Sequence, residues 1–206
     1  MNIINISKQL PRNSSRRYPY LNASRVTHII PHHSATFGKD AYHHARSHLA
    51  NGWPGIAYYL FIDSAGKVYK CHEIDEMGYH CKGMNHRSIG ICIEGNFQKR
   101  RPTQAQMDAC YEAILHINFQ IGRQLEVGFH DSYRPTVCPG RYFPKHQLTM
   151  SVMSYYALMD SSDQDMYQAD IPTKPIAEAP KNPMYYLRNA FWESYIYKQY
   201  QKLRYA

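Results

Sequence analysis

Three short stretches of this 206-residue chain carry side chains suited to metal chemistry. They are Pro31-His32-His33-Ser34-Ala35-Thr36, then His130 directly after Val127-Gly128-Phe129, then Cys138 in the proline-bracketed run Arg134-Pro135-Thr136-Val137-Cys138-Pro139. Zinc takes imidazole nitrogen and thiolate sulfur at tetrahedral angles, and a catalytic zinc uses three protein ligands and keeps one position open. His32, His130 and Cys138 would supply that set. One thiolate with two neutral imidazoles leaves the site at a net charge of about +1, enough to bring a bound water toward a pKa of about 7 and to polarise a carbonyl. The reaction class is then metal-assisted hydrolysis of an amide. A rival set stays open at this point: His44 and His48 stand four apart on one helix face, although the Glu of an HExxH motif is missing. His43, His72, His86 and His146 read as ordinary solvated side chains.

Residues this far apart meet only if the right elements carry them. Val26–Ile30 is β-branched and predicts a strand that stops at Pro31, which has no N–H for a ladder. Asp40 is placed to cap a helix over Ala41–Asn51, closed by Gly52. Ala57–Ile62 and Lys67–Lys70 flank Asp63-Ser64-Ala65-Gly66, a hairpin signature. Ser88–Ile93 is short and apolar, bounded by Glu94-Gly95-Asn96, and predicts a mid-sheet strand buried on both faces. Thr103 opens a helix with Gln106 completing a capping box, and Met107, Cys110, Ile114, Ile117 and Ile121 recur at helical spacing up to Gly122. Val127–Phe129 predicts one more short strand, and a helix follows Pro144 to about Met159. Strands alternating with helices give an α/β class, a single mixed central β-sheet flanked by helices, with a C-terminal helical extension.

Around a catalytic domain at 25–159, the composition marks three further segments. Residues 1–24, with Pro11, Pro19 and the polar run Asn13–Arg17, read as a loosely held N-terminal arm. Residues 160–183 have the Asp/Pro composition of a linker. Residues 184–206 form a basic, Tyr-rich helix with Leu187, Phe191 and Tyr195, then Ile196, Tyr200 and Leu203, at helical spacing. Such a tail suits docking on the parent domain or contact with a glycan or anionic wall polymer.

The 24 Lys and Arg against 16 Asp and Glu leave a net charge of +8, which favours a polyanionic neighbour. The basic residues are dispersed apart from Arg16-Arg17 and Lys99-Arg100-Arg101, so the pattern does not point to nucleic acid. No stretch approaches the roughly 20 apolar residues that span a bilayer, and no stable membrane insertion is expected. Five cysteines cannot all pair and form no CxxC, which excludes a disulfide framework and a zinc ribbon and suits a reducing compartment. The amino terminus lacks the pattern of a secretory signal, so cytosolic synthesis is expected, with export by another route left open.

Four blocks carry a resemblance: VTHIIPHHSAT, GWPGIAYYLFIDSAGKVY, GYHCKGMNHRSIGICIEGN and GFHDSYRPTVCPG. In this order and with these gaps, over about residues 25–145, the chain resembles the type 2 N-acetylmuramoyl-L-alanine amidases, a group that includes bacteriophage lysozyme-amidases and the peptidoglycan recognition proteins. The resemblance implies zinc held by His32, His130 and Cys138, with His33 only a neighbour. It implies that Tyr58, five residues after Trp53, hydrogen-bonds the water or the oxyanion; a phenol is too weak an acid to serve as a strong base at neutral pH. It places His80, Lys82 and Asn85, from an H-x-x-G-x-N loop, and Thr36 at the border of the substrate cleft, where they would contact the stem peptide or the lactyl-muramoyl group. Asn85 has a second reading as a loop-stabilising side chain.

Two departures from the family pattern stand out. Phage members carry a lysine where this chain has Thr136, whose hydroxyl donates one hydrogen bond to an oxyanion but adds no charge; recognition-type members with activity also place threonine there. Some bacterial members have a catalytic Glu at the position of Cys92, and its absence shifts the polar role to Tyr58. Glu94, two residues on, faces the same side of the strand. The implied activity is zinc-dependent cleavage of the amide between the lactyl group of muramic acid and L-alanine of the stem peptide, in a phage or prophage endolysin made in the cytosol and acting on the wall after release. The alternative is a non-catalytic peptidoglycan receptor, a type that replaces the cysteine ligand.

Overall fold

A computed structural model of the chain describes residues 1–162. The sheet is built around β5 (Ser88–Ile93), whose six residues are all buried. It pairs in parallel with β2 (His28–His33) on one side and β3 (Leu60–Ile62) on the other, and strands covered on both faces have no polar alternation to show. With β1 (Ile3–Asn5), β4 (Val68–Lys70) and β6 (Glu126–Val127) the six strands run in the order β1-β4-β3-β5-β2-β6. Only β3 and β4 are antiparallel, so the sheet is mixed. Their turn is closed by Asp63, whose Oδ1 accepts from the backbone N–H groups of Ala65 and Lys67, with Gly66 in the left-handed region at φ +81°.

The expectation that the first long strand stops at Pro31 is corrected: β2 continues to His33. Ser34 N donates to Ile93 O, whereas Gly128 N donates to Ile29 O. Alternation therefore turns the backbone groups of Ile30 and His32 toward β5, and those of Ile29, Pro31 and His33 toward the β6 side. β6 reaches only His28 and Ile29, so the N–H that Pro31 lacks lies past the end of its neighbour and no ladder bond is lost. The strand expected from Ala57 is also shorter and begins at Leu60.

The helices seal the two faces. Register aligns His32, Cys92, Phe61, Tyr69 and Ile4 in one row across the sheet. On that face α1 (Ala41–Ala50), capped by Asp40 accepting from His43 N at 2.8 Å, packs Ala41 and Ala45 against Phe61 and Cys92. The alternate residues Ile89, Ile91 and Ile93 turn to the other face, where α2 (Gln104–Ile121) covers β3 and β5 with Ile114 and Ile117. The capping box of Thr103 and Gln106 is present, and Gln106 Nε2 also donates to Glu94 O, tying the start of α2 to the end of β5. A single turn, α3 (His130–Tyr133), and α4 (Lys145–Ser162) complete the described residues.

Residues 1–24 are not a loose arm. β1 extends the sheet beyond β4, and Ile6, Leu10 and Leu21 are buried, the first two in the core beneath α1. Arg12 forms a two-pronged ion pair with Glu76, Tyr18 Oη donates to Ile56 O at 2.7 Å, and Asn13 N donates to Pro54 O. The prolines that argued against a core element restrict the backbone without preventing intervening apolar residues from packing. Met1–Ser161 forms one compact unit. The expected linker begins inside α4, and the remainder of it, with the basic Tyr-rich helix at 184–206, lies outside the described residues. Among the described residues no helix is long and apolar enough to cross a membrane.

Candidate active site

His32, His130 and Cys138 converge at the end of β2: one donor atom from each lies within 4.8 Å of the other two. Among the described residues no other group of three or more His, Cys, Asp or Glu side chains does so. β2 presents His32 from its α1 face, and β6, the neighbour of β2, leads through Phe129 directly to His130, which opens α3. The Cys138 loop folds back on that turn, with Asp131 N donating to Cys138 O at 3.1 Å. The rings of His32 and His130 are 4.7 Å apart, and Cys138 Sγ lies 3.4 Å from His32 Nδ1.

Burial sets the protonation of these groups. It lowers the pKa of His32 well below the ordinary histidine value, with the neighbouring His80 and His130 adding to the effect, and it lowers His130 as well, so both imidazoles are neutral at pH 7. Burial pushes the Cys138 thiol up to about 12. Neutral imidazoles are ready ligands, and a buried thiol beside them becomes a ligand when a divalent cation displaces its proton. The donor set therefore fits zinc.

His33 points to the opposite face, where its Nδ1 accepts from Phe97 N at 3.1 Å. The rival pair is occupied otherwise: His44 Nε2 lies 3.4 Å from Thr36 Oγ1, and His48 Nδ1 accepts from Ala57 N at 3.0 Å while its ring packs on Trp53.

Tyr58 stands beside the cluster, its ring 5.2 Å from that of His32, with Cys92 as a neighbour. Burial and the nearby Cys92 and Cys138 raise its pKa well above the usual phenol value, which keeps it a proton donor. Thr136 is exposed and its Oγ1 accepts from Cys138 N at 3.3 Å. Thr36 Oγ1 is 3.0 Å from Ser34 Oγ, and Lys82 is exposed. Glu94 is buried and its Oε1 accepts from Gly38 N at 2.6 Å, which fastens the loop after β2.

Two of the residues expected at the cleft border have partners within the protein. Asn85 Oδ1 accepts from Cys81 N at 2.7 Å and closes its own loop. His80 is 6% exposed and lies behind His32, with its Nδ1 3.0 Å from His32 Nε2. The GYHCKG segment marked His80 as a residue of interest, but nothing local announced that it would pack on Gly90 of a strand ten residues away.

The family described as N-acetylmuramoyl-L-alanine amidase matches residues 22–141, a span that includes all three members of the cluster. An endolysin of Klebsiella phage KP32 is 30% identical over 113 residues, which cover 50% of this chain and 74% of that protein. Peptidoglycan-recognition protein SC2 of Drosophila melanogaster is 33% identical over 93 residues, 43% of this chain and 50% of that one. Among solved structures, the endolysin amidase LysCS of Clostridium intestinale URNW has the same fold, with a TM-score of 0.65 at 24% identity over 74% of this chain and 95% of that one.

Proposed function

This chain belongs to the N-acetylmuramoyl-L-alanine amidase family and is a peptidoglycan amidase; from that premise we propose that it is a zinc-dependent endolysin of phage or prophage origin that cleaves the amide between the lactyl group of N-acetylmuramic acid and L-alanine of the stem peptide. The observation that carries the zinc reading is the convergence of His32, His130 and Cys138, which come from segments about a hundred residues apart in the chain (His32 and Cys138 differ by 106 positions). The phage endolysin relative supports the origin and an action on the cell wall after release from the cytosol.

Zinc bound by these three side chains would supply Lewis-acid polarisation of the scissile carbonyl and activation of the attacking water. The chain's own residues do the rest. His32 and His130 offer neutral lone pairs, and Cys138 gives up its proton on binding. Tyr58 holds its proton at Oη and donates it as a hydrogen bond to the developing oxyanion, a charged acceptor. Thr136, whose oxygen is fixed by Cys138 N, has its hydroxyl proton available for the same oxyanion. Thr36 and Lys82 contact the stem peptide or lactyl-muramoyl group, and Asn85 keeps the loop of Lys82 in shape.

Incubating the protein and zinc with purified sacculi should release new L-alanine amino termini, and Cys138→Ser should release none. Sacculus binding by the parent protein without any new amino termini, while a known amidase works on the same material, would establish the receptor reading instead.

A further inference from the structure

We propose that His80 is a positioning residue that fixes the tautomer of His32, so that the Nδ1 lone pair of His32 is the one turned to the metal; this rests on the zinc reading above. The directions of a chain of buried hydrogen bonds carry the inference. It starts at Ser88, whose Oγ donates to Met84 O at 2.7 Å and so spends its only proton there. His80 Nε2 faces Ser88 Oγ at 3.2 Å and Ser88 O at 3.3 Å. A carbonyl oxygen only accepts, and the hydroxyl has only its lone pairs left, so the proton of the neutral His80 ring must sit on Nε2. His80 Nδ1 is then an acceptor, and the atom it faces at 3.0 Å, His32 Nε2, must be the donor. With its proton on Nε2, neutral His32 carries its free lone pair on Nδ1, the atom 3.4 Å from Cys138 Sγ.

The packing holds this arrangement in place. His32 and His80 are 1% and 6% exposed, their rings meet edge to face, and β5 has a glycine, Gly90, directly under the His80 ring. A Cβ at that position would lie 2.6 Å from His80 Cγ. The chain thus keeps β5 bare at the one place where a side chain would push His80 off His32. A histidine ligand commonly has its second nitrogen held by a carboxylate, a carbonyl or water, and here a second imidazole, itself held by a backbone carbonyl and a hydroxyl, fills that role.

The test compares His80→Leu, which removes the acceptor, with His80→Asn, whose Oδ1 restores an acceptor near the place of Nδ1. Zinc affinity is read by chelator competition, the visible spectrum by cobalt substitution, and folding by circular dichroism. His80→Leu should lose 10- to 100-fold in zinc affinity with a changed cobalt spectrum, and His80→Asn should recover most of the loss. A folded His80→Leu that binds zinc within about threefold of the parent, short of the roughly tenfold that such partners contribute at least, overturns the proposal. If His80→Leu does not fold, long-range proton–nitrogen NMR of the parent decides: protons on Nε2 of both histidines uphold it, and a proton on Nδ1 of His80 overturns it. A parent that takes up no zinc sinks the zinc reading, and the same spectrum of the metal-free protein still decides the tautomer of His80.

Discussion

Two histidine pairs on the α1 face of the sheet differ in what brings them together. His44 and His48 are neighbours because a helix places residues four apart on one side, and their rings sit 6.4 Å apart. His32 and His80 are separated by 48 positions and meet because β2 pairs with β5 in a register that puts His32 beside Cys92, while His80 lies over Gly90 of the same strand. The helical pair is consumed by its surroundings, one ring nitrogen by Thr36 and one by the backbone of Ala57. The long-range pair leaves a nitrogen of His32 facing Cys138. Proximity along a helix is easily obtained and carries no direction, whereas convergence on a common point needs three elements to agree.

The contrast is broken most severely at Cys138. Cys138→Ala should reduce zinc content to background, beyond the roughly 100-fold that an outer partner costs, and abolish sacculus hydrolysis. His44→Ala should leave zinc content unchanged by elemental analysis; loss of metal there would mean that the helical pair takes part after all.

In their charge state the two pairs behave alike, and pH tests that. Burial lowers the pKa of His44 and His48 from 6.5 to about 4 and that of His80 to about 3. Each binds its proton less readily in the folded than in the unfolded chain, so below about pH 6.5 the unfolded state takes up more protons. The stability these residues contribute is complete above that pH and is lost as the pH falls toward 4. The melting temperature of the metal-free protein should decline steadily across that window; a flat profile between pH 7 and 5 would show that these rings are hydrated.

Gly90→Ala is a gentler probe of the long-range pair. Overpacking the His80 ring should cost about 1–3 kcal/mol in denaturant unfolding and weaken zinc binding in parallel. On the helical side, His48→Ala leaves Ala57 N without its acceptor, a loss of about 1–3 kcal/mol if that N–H stays dry, with zinc affinity unchanged. The smallest effect is expected at a partly exposed ion pair outside the cluster. Arg12→Ala removes a partly exposed ion pair with Glu76 and should cost no more than about 1 kcal/mol, with zinc content intact.

Much of this molecule was legible before any fold was known, and the failures share a cause. The capping box at Thr103 and Gln106, the Asp40 cap, the Asp63–Gly66 turn and the apolar β5 are local patterns, and each is where it was expected. The first 24 residues depart from the expected loose arm because β1 gains its hydrogen bonds from β4, some 65 residues on (Ile3 opposite Val68), and the prolines conceal Ile6 and Leu10. Pro31 does not end its strand because its missing N–H matters only on a side whose neighbour stops at Val127, which nothing local to Pro31 announces.

What the sequence by itself determined is the chemistry on offer: the order of the four blocks, a mixed α/β sheet, and two imidazoles and a thiol as candidate donors. Only the tertiary structure decided that His32, His130 and Cys138 meet, that Asn85 closes its own loop while His80 packs behind His32, and that β1 and the buried Ile6, Leu10 and Leu21 tie the first 24 residues to the domain. The reason is physical. Backbone propensities and caps act over a few residues, but the direction of a side-chain lone pair is set by hydrogen-bond partners that arrive from strands and loops far away in the chain.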